Sequence, residues 1–300
     1  MDTNLIITSG CKYIDIDAYA SAIAYRELLK KQGTAATAST LATPNRSIPP
    51  LILNLKYHLD PAEAPDNAKY IVLDTSNPEF FDKRVTAENL VEIIDHHTGF
   101  EGYWQSQKEV KIEIEFIGSV CTIIFERIIA SNRVDVLDND LCKLLIAGIL
   151  DNTLNLKSSI TTDRDRAAYE KLIEIGKISP DWGAEYFAAC EAEILKDLET
   201  AIKDDIKIEK VGVLPEVIGQ IVVQDVNNFA VDEMKTVFKE YPEWLMNVIS
   251  LKDGKSYLYF GGDGVQNRLE ELFSQQCKVD GLLVLDHFLL RKQIMKLARQ

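Results

Sequence analysis

The residues best suited to chemistry are aspartates and histidines that stand where apolar segments end. Asp95-His96-His97 follows the apolar run 90–94, and Asp74 follows the run 70–73. Carboxylate oxygens and imidazole nitrogens bind divalent metal ions, and of two adjacent imidazoles one can bind a metal ion while the other faces a substrate. Half of the chain's four histidines stand in this triplet, which a solvent-exposed loop would not explain. The sequence therefore predicts a metal centre around Asp95-His96-His97.

Two further acidic segments could add ligands. Asp15-Ile16-Asp17 places two carboxylates two residues apart before a helical pattern at 18–31, so that both could approach neighbouring cations from one loop. Aspartates in this position are also ordinary helix caps. Asp151 follows the apolar helix predicted at 137–149, and the polar turn after it could carry one more ligand. Thr161 to Asp165, by contrast, is interpreted as a cap of the next helix.

The elements that must position these residues alternate between strand and helix. Apolar runs at 5–8, 70–73 and 90–94 predict strands, and helical spacing recurs at 18–31, 119–130 and 137–149. This alternation predicts an α/β fold with an open parallel sheet flanked by helices. Ligands of such sheets bind outside the carboxyl ends of the strands, where Asp15, Asp74 and Asp95 would lie.

The second part of the chain predicts a smaller α/β domain. A charged helical stretch at 181–205 precedes apolar strands at Val211, 217–223 and 248–251. We therefore predict domains 1–190 and 191–300, joined by helix because no Pro, Gly or Ser linker is found, with an active-site cleft between them. Phe288-Leu289-Leu290 predicts a further buried strand.

The composition limits the kinds of partner that the protein is expected to bind. The chain has 300 residues, of which 46% are hydrophobic and 27% charged, with a net charge of −14. This charge argues against a nucleic-acid polymer, which requires a basic surface. No run is long and apolar enough for a membrane span, and the first residues lack the plan of a signal peptide, so a cytoplasmic protein is expected. A small anionic substrate fits, and a homodimer is left open.

Taken together, the motifs resemble those of the DHH phosphoesterases. The resemblance covers nearly the whole chain and is greatest to the family II, manganese-dependent inorganic pyrophosphatases. In the DHH domain it depends on residues 10–18, Asp74, the triplet 95–97 and residues 152–158. Residues 205–207, 218–222 and 291–293 resemble the DHH-associated C-terminal domain.

The resemblance implies hydrolysis of a small phosphoanhydride, pyrophosphate first, by a water that two divalent metal ions activate. Mn²⁺ is expected first, with Co²⁺, Zn²⁺ or Mg²⁺ as alternatives. The residues that would bind the two ions are Cys11, Asp15, Asp17, Asp74, His96 and the corner Asp151-Asn152. The residues that would bind the substrate are His97, Lys207, Arg291 and Lys292.

Three departures from the pyrophosphatase pattern leave alternatives open. Cys11 stands where those enzymes have a histidine, Thr75 follows Asp74 in place of a histidine, and Asn152 falls on the position of a ligand aspartate. A thiolate would favour zinc or cobalt over manganese, or would not bind at all. Either Asp151 or Asn152 could be the ligand. An exopolyphosphatase, a nucleotide or oligonucleotide phosphodiesterase, and a silent phosphate- or nucleotide-binding relative are the alternative functions.

Overall fold

The chain divides into two units. The computed structural model describes residues 4–10, 12–107 and 109–299, and its division gives unit 1, Met1–Tyr186, and unit 2, Phe187–Gln300. The helix Trp182–Lys196 contains the point of division. Within the described ranges, no helix is both long and apolar enough to cross a membrane.

Unit 1 is built on a five-stranded sheet in which every neighbouring pair is parallel. Its strands have the order β3-β1-β5-β6-β7, and β2 pairs with β4 in a separate ribbon. The bounds are β1 (Leu5–Thr8), β2 (Tyr13–Ile14), β3 (Ala36–Ala38), β4 (Thr43–Pro44), β5 (Lys69–Leu73), β6 (Leu90–Asp95) and β7 (Lys111–Ile114). Because β5 and β6 are parallel neighbours, the residues that follow them meet at one edge of the sheet.

The helices of unit 1 are α1 (Ile16–Lys31), α2 (Pro50–Leu53), α3 (Glu101–Trp104), α4 (Val120–Ala130), α5 (Asn139–Asn152) and α6 (Asp163–Gly176). α1 packs against α4 and α5, and most of its residues are buried. Short 3₁₀ helices cover Pro78–Phe80 and Val134–Val136. A capping box of Thr162 and Asp165 begins α6, which confirms the interpretation of this segment as a cap.

Unit 2 has its own five-stranded sheet, in the order β12-β11-β10-β9-β8, in which only β9 and β10 are parallel. The elements are α7 (Trp182–Lys196), α8 (Leu198–Asp205), β8 (Lys207–Ile208), β9 (Val217–Val223), α9 (Val231–Val237), β10 (Trp244–Ser250), β11 (Lys255–Gly261), α10 (Val265–Phe273), β12 (Leu282–Leu285) and α11 (Arg291–Leu297), with a 3₁₀ helix at Val226–Asn228. α8 and α9 share one apolar core with the sheet, and α10 and α11 share another.

The predicted fold class is confirmed, since a parallel sheet flanked by helices is followed by a second α/β unit. Two predicted strands are wrong. Val211 lies in a turn before Gly212, whose φ of 49° interrupts extended backbone, and the valine is buried by packing instead. Residues 288–290 are irregular because side chains replace a neighbouring strand: Leu289 donates to Ser256 Oγ, and its carbonyl accepts from Asn247 Nδ2.

Candidate metal centre

Asp74 is fixed where β5 ends beside β6. Its amide donates to the carbonyl of Ile94 (2.9 Å), and its φ of 61° turns the chain sharply after the strand. Aspartate tolerates this left-handed conformation better than most residues. Asp74 Oδ1 lies 3.3 Å from His96 Nε2 and 3.8 Å from His97 Nδ1. The structure therefore brings together Asp74 and the triplet.

Asp95 organises the triplet through its side-chain carboxylate. Its Oδ1 accepts from the amides of His96 (2.8 Å) and His97 (3.0 Å) and lies 2.9 Å from His97 Nδ1. Burial alone would raise the pKa of Asp95, but the hydrogen bond and charge of His97 lower it. Since Nδ1 of the half-exposed His97 is engaged with Asp95, Nε2 is the ring nitrogen available to a substrate.

His96 presents one defined nitrogen to the centre. Its Nδ1 lies 3.0 Å from the carbonyl of Ile117, and a carbonyl only accepts, so Nδ1 carries the hydrogen in this contact. Nε2 then has a free lone pair, which lies 3.3 Å from Asp74 Oδ1 and 4.0 Å from Asp17 Oδ2. A backbone hydrogen bond on the far ring nitrogen is the usual way in which a protein orients a metal-binding histidine.

Three buried atoms of the centre lack a hydrogen-bond partner within the described part of the chain. They are Asp74 Oδ1, Asp95 Oδ2 and His96 Nε2. A buried polar atom without a partner is costly, and in their unprotonated forms Asp74 and His96 present two acceptors to each other with no donor between them. Ligand atoms of Asp74, His96 and His97 all lie within 4.8 Å of one another. A divalent cation bound to these carboxylate and imidazole atoms would remove the cost, so the residues fit a metal ion.

The charges agree with a cation site. Burial, followed by the charges of Asp15 and Asp17, raises the pKa of Asp74 well above its usual value. Burial and the neighbouring Asp17 also raise the pKa of Asp15, whose Oδ1 caps α1 by accepting from the amide of Ala18 (3.0 Å). The centre thus collects carboxylates that repel one another, and a bound cation would favour their ionised forms.

Asp151 and Asn152, at the end of α5, contact different partners. Asp151 Oδ1 lies 2.9 Å from the Tyr186 hydroxyl, which is also 3.0 Å from the carbonyl of Ser47. Burial raises the pKa of Asp151 to about 7, with Asp15 and Asp17 adding to the shift. Asn152 instead donates from Nδ2 to Asp17 Oδ2 at 2.5 Å. Which of the two residues binds a metal ion stays a prediction, and Cys11 lies outside the described residues.

The basic residues predicted to bind substrate lie in unit 2. Arg291 begins α11, and its Nη1 contacts Asp205 through Oδ2 (2.5 Å) and the backbone carbonyl (2.6 Å). The amide of Arg291 donates to Gln220 Oε1 at 2.5 Å. Lys207 lies on β8, where desolvation and the charge of Arg291 lower its pKa. Lys292 follows Arg291 and is exposed. The structure therefore brings Lys207 close to Arg291.

Sequence reasoning placed Asp95 in the centre without a positioning role, and it missed Ile117 and Tyr186. Asp95 orients His97, the carbonyl of Ile117 orients His96, and Tyr186 contacts Asp151. For Asp95 a signal existed, because an aspartate whose side chain accepts from the following backbone amides is a common turn motif. Ile117 acts through its backbone, and Tyr186 is 35 residues from its partner, so neither left a local pattern.

Fold and centre together define an α/β protein with a carboxylate–imidazole cluster, able to hold a metal ion, at the carboxyl edge of a parallel sheet. Residues 5–149 match the DHH family, N-terminal domain. This segment therefore belongs to the DHH family, and the resemblance predicted from the motifs is confirmed.

Several relatives are similar to this chain over more of its length than residues 5–149. A protein of Thermotoga maritima named as a probable manganese-dependent inorganic pyrophosphatase is 26% identical over 75% of this chain and 42% of its own length. One of Clostridium acetobutylicum with the same name is 27% identical over 77% of this chain and 74% of its own. The chain thus spans less than half of the Thermotoga relative.

A solved structure shares the fold. The protein of Methanococcus jannaschii assigned to the family II inorganic pyrophosphatases superposes with a TM-score of 0.67 over 99% of this chain and 100% of that one. The two sequences are 21% identical, so this likeness shows the fold alone.

Proposed function

We propose that the chain is a metal-dependent phosphohydrolase that cleaves a small phosphoanhydride, with inorganic pyrophosphate as the first candidate. One observation carries the proposal: Asp74 Oδ1 and His96 Nε2 are buried, 3.3 Å apart and without a hydrogen-bond partner among the described residues. Two atoms in this arrangement need either a proton or a metal cation between them, and a metal ion would also favour the ionised carboxylates around them. The relatives named manganese-dependent pyrophosphatases support Mn²⁺ as that cation.

The reaction adds water across the P–O–P bridge. The water oxygen bonds to one phosphorus, the bridge bond breaks, and two phosphates leave with the water's protons. A divalent ion bound by Asp74 and His96 would supply Lewis acidity and lower the pKa of a bound water. Within this scheme His97 Nε2 contacts a phosphate oxygen while Asp95 holds the ring, and Asp95 is therefore a positioning residue.

The substrate's negative charge is assigned to the basic residues of unit 2. We propose that Lys207, Arg291 and Lys292 bind phosphate oxygens, since guanidinium and ammonium groups stabilise charge that grows on a leaving phosphate. Asp205 and Gln220 hold Arg291 in place through its side chain and its backbone amide. Arg291 has further N–H groups beyond those that contact Asp205, because guanidinium carries five donors.

Phosphate release from a substrate panel tests the proposal. Purified protein is assayed with Mn²⁺, Co²⁺, Mg²⁺ or Zn²⁺ on pyrophosphate, tripolyphosphate and a phosphodiester. We expect pyrophosphate to be cleaved fastest with Mn²⁺. No phosphate from pyrophosphate or polyphosphate with any of the four metals would sink the proposal.

The same panel separates the alternatives. Thr75 after Asp74 is the feature that favours an exopolyphosphatase or a nucleotide phosphodiesterase, and faster cleavage of tripolyphosphate or the diester would support one of these. Tight binding of phosphate compounds without any turnover would indicate a silent binding protein.

A further inference from the structure

Asp17 differs from the other carboxylates of the centre because donors already surround it. Its Oδ1 accepts from Ser119 Oγ (2.7 Å) and the amide of Cys121 (2.9 Å), and its Oδ2 accepts from the amide of Val120 (2.9 Å) and Asn152 Nδ2 (2.5 Å). An ionised carboxylate offers about four lone-pair sites. The fully buried Asp17 therefore has a protein donor for each of them.

The opposite end of the centre has the reverse arrangement. Asp74 Oδ1 and His96 Nε2 have no donor in the described ranges, although His96 Nε2 is only 4.0 Å from Asp17 Oδ2. One end of a small buried cluster thus has excess acceptors, and the other is neutralised by the first amides of α4 and by Asn152. A bound cation would therefore stabilise the end at Asp74 and His96 more than the end at Asp17.

Asn152 can supply its hydrogen because it is an amide and not an acid. Only the Nδ2 side can face an ionised carboxylate at 2.5 Å, since Oδ1 in that place would oppose a second acceptor. Its helix is held close to Asp17 by Gly148, one turn earlier. A Cβ at Gly148 would lie 3.2 Å from Asp17 Cα and 2.4 Å from Cys121 Sγ, so only glycine permits this approach.

We propose that the amide of Asn152 occupies the place of a cation beside Asp17, so that this end of the centre is stable without a metal ion. The inference rests on the proposed metal centre at Asp74 and His96, and it does not depend on hydrolysis. A carboxylate at position 152 would meet Asp17 as a like charge and would turn this end into a cation site. Residue 152 thereby determines how many ions the centre binds tightly.

The test compares N152D with the wild type in ion binding and stability. Tm is measured in EDTA and with Mn²⁺, and bound ions are counted by calorimetric titration with Mn²⁺ and by elemental analysis after desalting. We expect N152D to have a lower Tm in EDTA, a larger rise in Tm with Mn²⁺, and one more tightly bound ion per chain. N152D with the wild-type ion count, including no ions in either protein, would overturn the proposal.

Two further variants complete the experiment. N155D makes the same substitution at an exposed residue three positions on, and it should match the wild type in both measurements. If N152D does not fold, N152A decides, because it removes the donor without adding charge. Its Tm should rise more with Mn²⁺ than that of the wild type, and an equal rise contradicts the proposal. Hydrolytic activity enters neither readout, so an inactive but metal-binding protein leaves the inference standing.

Discussion

The centre of unit 1 and the basic cluster of unit 2 differ in whether their polar and charged groups have partners within the chain. At the end of β6, acceptors face acceptors: Asp74 and His96 lie 3.3 Å apart with no donor from any described residue. At the start of α11, Arg291 already has its counter-charge in Asp205 at 2.5 Å. The first region is incomplete without a proton or a metal cation, whereas the charge of Arg291 in the second is already balanced by Asp205.

The two regions are therefore suited to different ligands. An ion that enters the centre removes the cost of buried unpaired acceptors, so its binding stabilises the fold directly. A phosphate that meets Arg291 must share the guanidinium with Asp205. Loss of the ion should therefore affect stability and activity, whereas changes in the basic cluster should affect mainly substrate affinity.

Removing His96 Nε2, which faces Asp74 Oδ1 without a donor, should weaken metal binding more than any other single change. H96A should weaken Mn²⁺ binding by about 100-fold or more, because even residues that only orient a ligand contribute tenfold to 100-fold. Calorimetric titration with Mn²⁺ measures the change. H58A, which alters an exposed histidine, is the matched control and should bind Mn²⁺ as the wild type does. Equal affinity in H96A would remove His96 from the centre.

The next effect concerns the residue that holds His97. D95N keeps the size of the side chain but removes the charge at 2.9 Å from His97 Nδ1. We expect kcat for pyrophosphate to fall about tenfold, within the range found for residues that orient active-site groups. Steady-state kinetics at saturating Mn²⁺ give the value. An unchanged kcat would show that His97 needs no such partner.

R291A removes the guanidinium of the basic cluster in unit 2. It should raise KM for pyrophosphate about tenfold, the equivalent of one charged hydrogen bond of about 1.4 kcal/mol. Affinity for Mn²⁺ should stay at the wild-type value, the reverse of H96A. K296A, on the same helix and exposed, should leave KM unchanged. A loss of Mn²⁺ affinity in R291A would contradict the separation of the two roles.

The smallest effect is expected at Glu92, a carboxylate that basic side chains of the same chain already neutralise. Glu92, also on β6, accepts from Lys111 (2.7 Å), Arg127 (2.8 Å) and Tyr25 (2.8 Å). Burial opposes its ionisation, but Arg127 and these hydrogen bonds lower its pKa below 4.5. Because the folded-state pKa is depressed, this contribution to stability is present above pH 4.5 and is lost as the pH falls through the folded value.

E92Q should therefore lower the free energy of unfolding by about 1 kcal/mol at pH 7, and the difference should shrink below pH 4.5. Urea unfolding at pH 7 and pH 4 measures both values. E126Q alters an exposed partner of Arg164 and serves as the control, with a smaller change at either pH. A deficit in E92Q that is equal at both pH values would mean that lost packing, and not lost charge, is responsible.

Local patterns predicted the elements that position the centre. β1, β5 and β6 are apolar runs that end where their polar successors begin, and the helices α1, α4 and α5 follow from regular apolar spacing. The Asp-His-His triplet stood out by residue type alone. Each of these features depends on a few neighbouring residues, which is the range over which periodicity and helix caps act.

The remainder depends on contacts between distant residues. Asp17 was predicted as a ligand, but its donors Ser119 and Asn152 are 102 and 135 residues away. The strand predicted at residues 288–290 failed for a similar reason, since Ser256 and Asn247 contact its backbone from other strands. Apolar character predicted burial correctly for Leu289 but could not say which partner would bind its backbone.

The order of strands in unit 1 has a consequence for synthesis of the chain. β1 is synthesised before β3 and β5, yet it lies between them in the sheet, and Asp17 finds its last donor only when residue 152 has been made. Parallel pairing and such distant contacts must overcome loop-closure entropy before they stabilise anything. A nascent chain that stops before α5 would therefore carry the complete triplet beside an aspartate that still lacks its Asn152 partner, and such fragments should be sensitive to proteolysis.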